Sequence, residues 1–338
     1  MTRNLMIPNL LAAFVFFLLA LTNPTSGADS RPIRVAHLGT LAHAPVLIAR
    51  ERQTFEKAVA PRPVEWKMFN AGPQLIEALF AREVDLAWVG PGPAVNGFAR
   101  SNGEALRIIS GLTQGGAGLV VRKGSGITDA AVLGGKRIAT PQAGNTQDLA
   151  LRHWLDTHAL KPREKGGTVD ILPMPAADQL TLFQRGEIDG AWAVEPWVTR
   201  LILEGPGELV LDEATIWPDG KYATTVLIAR PELLRDEPAL IATWLATQES
   251  LLTWMNANPE AARDEANAAL AKLTGKGLPP AALASAWTRF TFTSDPARNS
   301  IETGARQAEA LGFLGRRRVE LAPIFALDPL AAGRRPQP

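Results

Sequence analysis

One segment of this chain is written twice. Leu79-Phe80-Ala81-Arg82-Glu83-Val84-Asp85-Leu86-Ala87-Trp88-Val89 returns about a hundred positions later as Phe183-Gln184-Arg185-Gly186-Glu187-Ile188-Asp189-Gly190-Ala191-Trp192-Ala193. Glu, Asp, Ala and Trp are kept, and Val84 is matched by Ile188. At nearly the same offset Arg34-Val35-Ala36 is answered by Arg137-Ile138-Ala139, each a short apolar run followed by a turn and a helical pattern. A duplicated strand, turn and helix constrains the chain to two similar α/β lobes, because each sheet must be covered by its own helices. Ligands bind where loops leave the carboxyl ends of such strands, so two lobes face to face make a cleft lined by paired loops.

Strand-like and helix-like stretches alternate from Ile33: strands at Ile33–Leu38, Val64–Phe69 and Leu86–Val89, helices at Ala44–Ala58, Pro73–Phe80 and Pro93–Ser101. This βαβ rhythm predicts a mainly parallel sheet. A strand over Ala105–Leu112 leads into Gln114-Gly115-Gly116-Ala117-Gly118, where the chain is expected to cross into the second lobe. There the pattern predicts strands at Lys136–Thr140, Thr168–Leu172 and Gly190–Val194, and helices at Thr146–His158, Ala176–Gln184 and Pro196–Leu203. Tyr222–Ile228, rich in β-branched residues, reads as the returning strand, and helices follow at Pro238–Asn256, Pro259–Leu273 and Pro280–Phe290, each with a proline in or near its first turn. Crossings near Gly118 and Tyr222 form a two-segment hinge. The expected division is residues 29–117 plus 226–330 for a discontinuous first lobe, 118–225 for the second, and a loose tail at 331–338. Trp244, Trp254 and Trp287 are expected to pack in the first-lobe core.

Residues 1–28 carry one charge, Arg3, an apolar stretch from Leu10 to Leu21 and a small-residue exit at Ser26-Gly27-Ala28. The stretch is short of the roughly 20 residues of a membrane span and fits a cleavable secretory signal, which places the mature protein in the periplasm. With no cysteine there is neither disulfide nor lipoprotein attachment. The 35 basic and 34 acidic residues nearly cancel, which offers nucleic acid no basic field. Recognition of a charged ligand must therefore be local, and a monomer is expected.

Catalytic sets are poor. The four histidines lack metal-ligand spacing or an evident acidic partner, and no P-loop, dinucleotide fingerprint, H-E-x-x-H or Cys nucleophile is present. The repeated acids Glu83, Asp85, Glu187 and Asp189 stand just before strands and read as helix-to-strand turn residues. No enzyme activity and no cofactor are expected. Binding loops are better supplied. Thr140-Pro141-Gln142-Ala143-Gly144-Asn145-Thr146-Gln147 joins a strand to a helix and ends in an N-cap, which makes an anion site from free backbone N–H groups and aligned peptide dipoles, or else an ordinary cap. Its first-lobe counterpart is Leu41-Ala42-His43-Ala44-Pro45; Phe69-Asn70-Ala71-Gly72-Pro73 and Val89-Gly90-Pro91-Gly92-Pro93-Ala94 are further helix-start loops. In Val194-Glu195-Pro196-Trp197, Glu195 either accepts from a ligand amine or hinge donor or caps its own helix. Trp192 or Trp197 is expected to stack on an apolar part of the ligand, and Trp88 to be buried.

Taken together, Ala44-Pro45, Phe69-x-x-Gly72-Pro73-Gln74-x-Ile76-Glu77-Ala78-Leu79, Asp85-x-Ala87-x-Val89-Gly90, Gly135-Lys136-Arg137-Ile138-Ala139, Gly144-Asn145-Thr146 and Ala191-Trp192-x-x-Glu195-Pro196-Trp197 resemble the solute-binding proteins of ABC importers for aliphatic sulfonates, taurine and nitrate. The resemblance covers Arg34 to about Leu311. It implies a type II periplasmic-binding-protein fold whose lobes close on a small organic anion and deliver it to an ABC permease in the inner membrane. By motif position it implies ligand contacts from His43, Gly72, Pro73, Gly92, Pro93, Gly144, Asn145, Thr146, Trp192 and Glu195. One departure is Pro91-Gly92-Pro93, where sulfonate binders commonly carry a polar residue, which leaves room for a larger or more apolar ligand. Alternatives within the fold are a thiamine-pyrimidine binding protein or enzyme and a nitrate or bicarbonate receptor; the enzymes rely on a cysteine-rich segment that this chain lacks.

Overall fold

The computed structural model describes residues 31–315 and 320–328; the secretory segment and the tail read from the sequence lie outside these. The chain begins with β1 (Ile33–Leu38), α1 (Ala44–Arg52), α2 (Thr54–Val59), β2 (Val64–Phe69), α3 (Gly72–Phe80), β3 (Leu86–Val89), α4 (Pro91–Arg100) and β4 (Arg107–Gly115). The second lobe comprises β5 (Ala117–Arg122), β6 (Arg137–Thr140), α5 (Thr146–Thr157), β7 (Asp170–Pro173), α6 (Ala176–Arg185), β8 (Gly190–Val194), α7 (Trp197–Leu203) and β9 (Gly207–Asp212). Back in the first lobe come β10 (Ala223–Ala229), α8 (Pro231–Asp236), α9 (Pro238–Ala257), α10 (Pro259–Thr274), α11 (Pro280–Trp287), β11 (Phe290–Phe292) and α12 (Arg298–Ala310).

The sheets have the orders β11-β4-β10-β3-β1-β2 and β7-β6-β8-β5-β9. Both are mixed, which corrects the expectation of mainly parallel sheets. β1 pairs parallel with β2 and β3, and β6 with β7 and β8, but β10 and β5 run antiparallel to their neighbours. The reason lies in the connectivity. A strand arriving from the other lobe enters its sheet at the end where the parallel strands finish, so it has to run against them. Gly115 N–H donates to Tyr222 O at 3.2 Å and Ala117 N–H to the Tyr222 hydroxyl at 2.9 Å, which ties the outgoing and returning crossings together. The crossings fall slightly earlier than the sequence boundaries, since Ala117 already pairs in the second sheet and Ala223 in the first.

The repeat is a register device. Asp85 accepts from the Arg34 backbone N–H at 3.0 Å while its own N–H donates to Arg34 O at 2.8 Å; Asp189 and Arg137 do the same at 2.8 and 2.8 Å. In each lobe the acid before the repeated Trp strand, β3 or β8, therefore fixes the start of its parallel neighbour, β1 or β6. Along the strands, side chains alternate between two cores. Leu86 and Trp88 join Phe55 and Trp244 on one face of the first sheet, whereas Ala87 and Val89 join Phe98 and Ile301 on the other. In the second sheet Leu119, Val121 and Trp192 face Trp154, and Val120, Ala191 and Ala193 face Phe183. Trp244 is fully buried in the first-lobe core, and Trp254 and Trp287 pack against it from partly buried positions.

Candidate functional site

The loop after β3 in the first lobe and the loop after β6 in the second, which are not copies of each other in the repeat, meet. α4 begins at Pro91 and α5 at Thr146. The Gly92 N–H donates to Thr146 Oγ1 at 3.2 Å across the cleft. Only glycine permits this approach: a Cβ on Gly90 would stand 2.6 Å from Thr146 Oγ1, and one on Gly92 3.0 Å from Thr146 Cα. Beside the contact is a cavity of about 450 Å³, counting its open side, to which both Gly92 and Thr146 belong together with Val95, Leu149, Trp217 and Ile301.

The α5 end of this junction is less open to an external anion than its sequence promises. Asn145 Oδ1 accepts from the Thr146 N–H at 2.9 Å, and the Gly144 N–H donates to Asp148 Oδ2 at 2.9 Å. Asp148 is fully buried, also accepts from the Thr140 hydroxyl at 2.9 Å, and forms a 3.0 Å ion pair with Arg152. The helix start thus carries a resident carboxylate, which uses the N-terminal dipole and the Gly144 N–H for itself. What stays available is the Thr146 hydroxyl proton, because a hydroxyl that accepts from Gly92 can still donate.

On the first-lobe side, Gly72 brings the start of α3 against α4: a Cβ there would lie 2.5 Å from Pro93 Cγ. Gly72 and Pro93 are therefore packed on each other, with Pro73 half-buried beside them. His43 is buried just before α1, its ring 6.4 Å from that of His37. Burial, reinforced by His37, holds the His43 imidazole well below the usual histidine range, so it is neutral and lends no positive charge. His37 is held at about 4, chiefly by burial, and lies 2.7 Å from Arg50 Nη1 through Nε2.

Two expected contacts are redirected by the second lobe. Trp192 is fully buried in the lobe core, edge-on to Trp154, and its indole N–H donates to Glu213 Oε2 at 2.7 Å. This corrects the expectation that it stacks on a ligand: it mirrors Trp88, whose indole donates to buried Gln248 at 2.8 Å. Glu195 is also fully buried. It caps its own helix, accepting from the Thr199 N–H at 3.0 Å and hydroxyl at 2.9 Å, and forms a 3.2 Å ion pair with Arg289 of the first lobe. Arg289 reaches Asp212 as well, at 3.3 Å. Burial raises the Glu195 carboxyl against the opposing pull of Thr199 and Arg289. Glu195 is thus an inter-lobe tie and a cap, both among the roles open to it in the sequence, and it is not placed to meet a ligand amine.

The ten residues expected to bind do not gather in one place. Gly92 and Thr146 line the cavity; Gly72, Pro73, Pro93, Gly144 and Asn145 shape the loops around it; His43, Trp192 and Glu195 are enclosed. Trp217 and α12, absent from the sequence expectation, supply the remaining walls. Trp217 had a visible cue, an aromatic beside the returning strand, but α12 reaches the site only through the tertiary fold. Among the described residues no cluster of three or more His, Asp or Glu could hold a metal ion, and no helix is long and apolar enough to cross a membrane.

Comparison with known proteins accords with this architecture. The family model described as NMT1-like matches residues 26–271. The taurine-binding periplasmic protein of Escherichia coli is 26% identical over 236 residues, which is 68% of this chain and 70% of that protein. A putative aliphatic sulfonates-binding protein of Bacillus subtilis is 27% identical over 262 residues, 75% of each chain. Among solved structures, the alkanesulfonate-binding protein SsuA of Xanthomonas axonopodis pv. citri, bound to MOPS, superposes with a TM-score of 0.71 at 22% identity, covering 88% of this chain and 98% of that one.

Proposed function

Because this chain belongs to the NMT1-like family, we propose that it is the periplasmic solute-binding component of an ABC importer. It captures an organic anion of the aliphatic sulfonate or taurine type between its lobes and delivers it to a membrane permease, acting as an exported monomer without catalysis. The observation that carries the reading is the junction of Gly92 and Thr146, where a helix-start loop of one lobe meets a helix-start loop of the other beside an inter-lobe cavity. The coverage of relatives named for taurine and sulfonate binding supports the same ligand class.

Recognition then works as follows. The Thr146 hydroxyl accepts from Gly92 and donates to an oxygen of the ligand, so lobe closure and anion binding share one hydrogen-bond chain. The start of α4, with no acid in its first turn, presents an uncompensated dipole end to the anion. Micromolar affinity needs about 8 kcal/mol, while a helix end supplies roughly 0.3 to 2 and a hydrogen bond to a charged group roughly 1.5 to 3. Several contacts must therefore form at once, which closure provides.

The test is thermal unfolding of the chain from Asp29 against methanesulfonate, longer alkanesulfonates, taurine, nitrate, bicarbonate and pyrimidines. A ligand at 100 times its dissociation constant adds about 2.7 kcal/mol of stability. A shift confined to sulfonates is expected. A shift only with pyrimidines, or with nitrate and bicarbonate alone, overturns the ligand assignment.

A further inference from the structure

Two flanks join the lobes, one on each face of the sheets. α4 and α12 cover the Ala87 and Val89 face of the first sheet and meet α5, which covers the Leu119 and Trp192 face of the second. On the opposite face α11 packs on α10 and meets α7, which covers Val120 and Ala191. The two flanks are chemically unequal. On the α7 side, Glu195 and Asp212 of the second lobe take Arg289 of the first at 3.2 and 3.3 Å, Glu204 takes Lys276 at 2.7 Å, and buried Arg200 donates to Lys276 O at 2.6 Å. Arg289 also abuts the hinge, since a Cβ on Gly115 would stand 2.3 Å from Arg289 O. On the α5 side the lobes share the 3.2 Å bond between Gly92 and Thr146 and the Arg152 guanidinium 5.3 Å over the Phe313 ring, and the inter-lobe cavity leaves the packing incomplete there.

Opening therefore costs different amounts on the two flanks. Parting α7 from α11 takes from Glu195, a fully buried carboxylate, the cation that offsets its charge. That is the expensive way to break an ion pair, because the charge left behind stays out of water. Parting α5 from α12 strands no charge. Arg152 keeps Asp148 and Glu164 within its own lobe, and the Thr146 hydroxyl and Gly92 N–H can turn to water. We propose that the α7–α11 flank is a clasp that stays shut in the ligand-free protein, and that the second lobe swings about it, so that ligand enters and leaves between α5 and α12. α12 and the turn bearing Phe313 are then the fixed post against which α5 closes. This goes beyond the receptor reading, which leaves the direction of opening free.

The chain has no cysteine, so spin labels can be placed in pairs at chosen exposed positions: Leu203→Cys with Ser285→Cys across α7 and α11, and Asp156→Cys with Arg306→Cys across α5 and α12. Double electron–electron resonance on the ligand-free protein is expected to give one narrow distance for the first pair and, for the second, a distribution with an added longer distance. A narrow distance at both pairs, or a longer one appearing at the first, overturns the proposal. Arg289→Met takes the cation from Glu195 and Asp212 and is expected to broaden the first pair, while Arg289→Lys, which keeps the charge, restores the narrow distance. Since Arg289→Met leaves Glu195 buried without a counter-charge and can fail to fold, Glu195→Gln with Arg289→Met, which strands neither partner, is measured beside it and is expected to broaden the same pair. A first pair that stays narrow in this double variant shows that these ions are not the clasp. All distances are read without ligand, so a failure of sulfonates to bind removes the ligand assignment and leaves the clasp to be decided by the labels alone.

Discussion

Glu213 offers the sharpest test of how the returning crossing is held. It is fully buried, with Oε2 2.7 Å from the Trp192 indole nitrogen and Oε1 3.3 Å from that of Trp217. Burial, aided by neighbouring Asp212, outweighs these donors and pushes the carboxyl up from 4.5 to about 7. In the unfolded chain it ionises near its ordinary value. The folded state therefore binds the extra proton between those two pH values, and the stability it contributes is fully present below pH 4.5 and lost as pH rises through 7. At 1.36 kcal/mol per pH unit this amounts to about 3 kcal/mol. Glu213→Gln keeps the shape, keeps an acceptor for Trp192 and removes the titration. Its amide cannot accept from Trp217, a pH-independent cost of about 1 kcal/mol. Urea unfolding of both proteins at several pH values should show the variant gaining on the wild type by about 3 kcal/mol between pH 4.5 and 8, with a flat difference outside that window. A difference that does not change with pH refutes the reasoning, because Glu213 would then ionise in the folded protein as it does in the unfolded one.

His37 runs in the opposite sense. Its folded value of about 4 against 6.5 unfolded means stability is lost as pH falls from 6.5 toward 4, by about 3 kcal/mol, and its imidazole resonances should not titrate near pH 6.5 by NMR. Asp85→Asn should cost about 3 kcal/mol in urea unfolding, because it strips a mostly buried acid from Arg34 and Arg230; Asp189→Asn, at the more exposed copy, should cost about 1, and equal losses would sink the comparison. Thr146→Val removes the Gly92 bond and the hydroxyl donor. It should weaken sulfonate binding about fivefold or more and enlarge the ligand-free radius of gyration by solution scattering, and unchanged values for both would dismiss the junction.

Much of the frame could be read from the chain because it rests on local patterns. β1, β2, β3 and β8 fall where alternation and flanking turns put them. The failures have tertiary causes. The helix expected over Ala44–Ala58 breaks at Gln53, which takes a left-handed conformation with φ 52°. β11 emerges from an apparent helix end because Phe290–Phe292 pairs with the extension of β4 through Thr113–Gly115. β9, with polar residues at both ends, becomes a strand only because the antiparallel edge of β5 is there to receive it. In the site, the glycines and Thr146 were legible as close-approach and cap residues. The repeat treats Trp88 and Trp192 alike, and the structure follows the repeat by burying both. That α12 walls the cavity has no local signature, since its apolar face reads as ordinary core packing.

The doorway between the lobes also orders events in time. Ala117 and Tyr222 are joined by a hydrogen bond although 105 positions separate them, and every strand of the second sheet lies between them. As the chain emerges from the ribosome, the second lobe has all its strands before β10, an inner strand of the first sheet, has been synthesised. The later lobe in sequence is thus the first able to complete itself, and its closure brings Gly115 beside the segment that β4 must pair with. The long loop that would otherwise slow the β4–β10 pairing is shortened to a turn by a domain already folded. Pulse-labelled hydrogen exchange on refolding should find the amides of Val120 and Ala191 protected before that of Leu227, and the reverse order would show that the first lobe assembles without waiting for its insert.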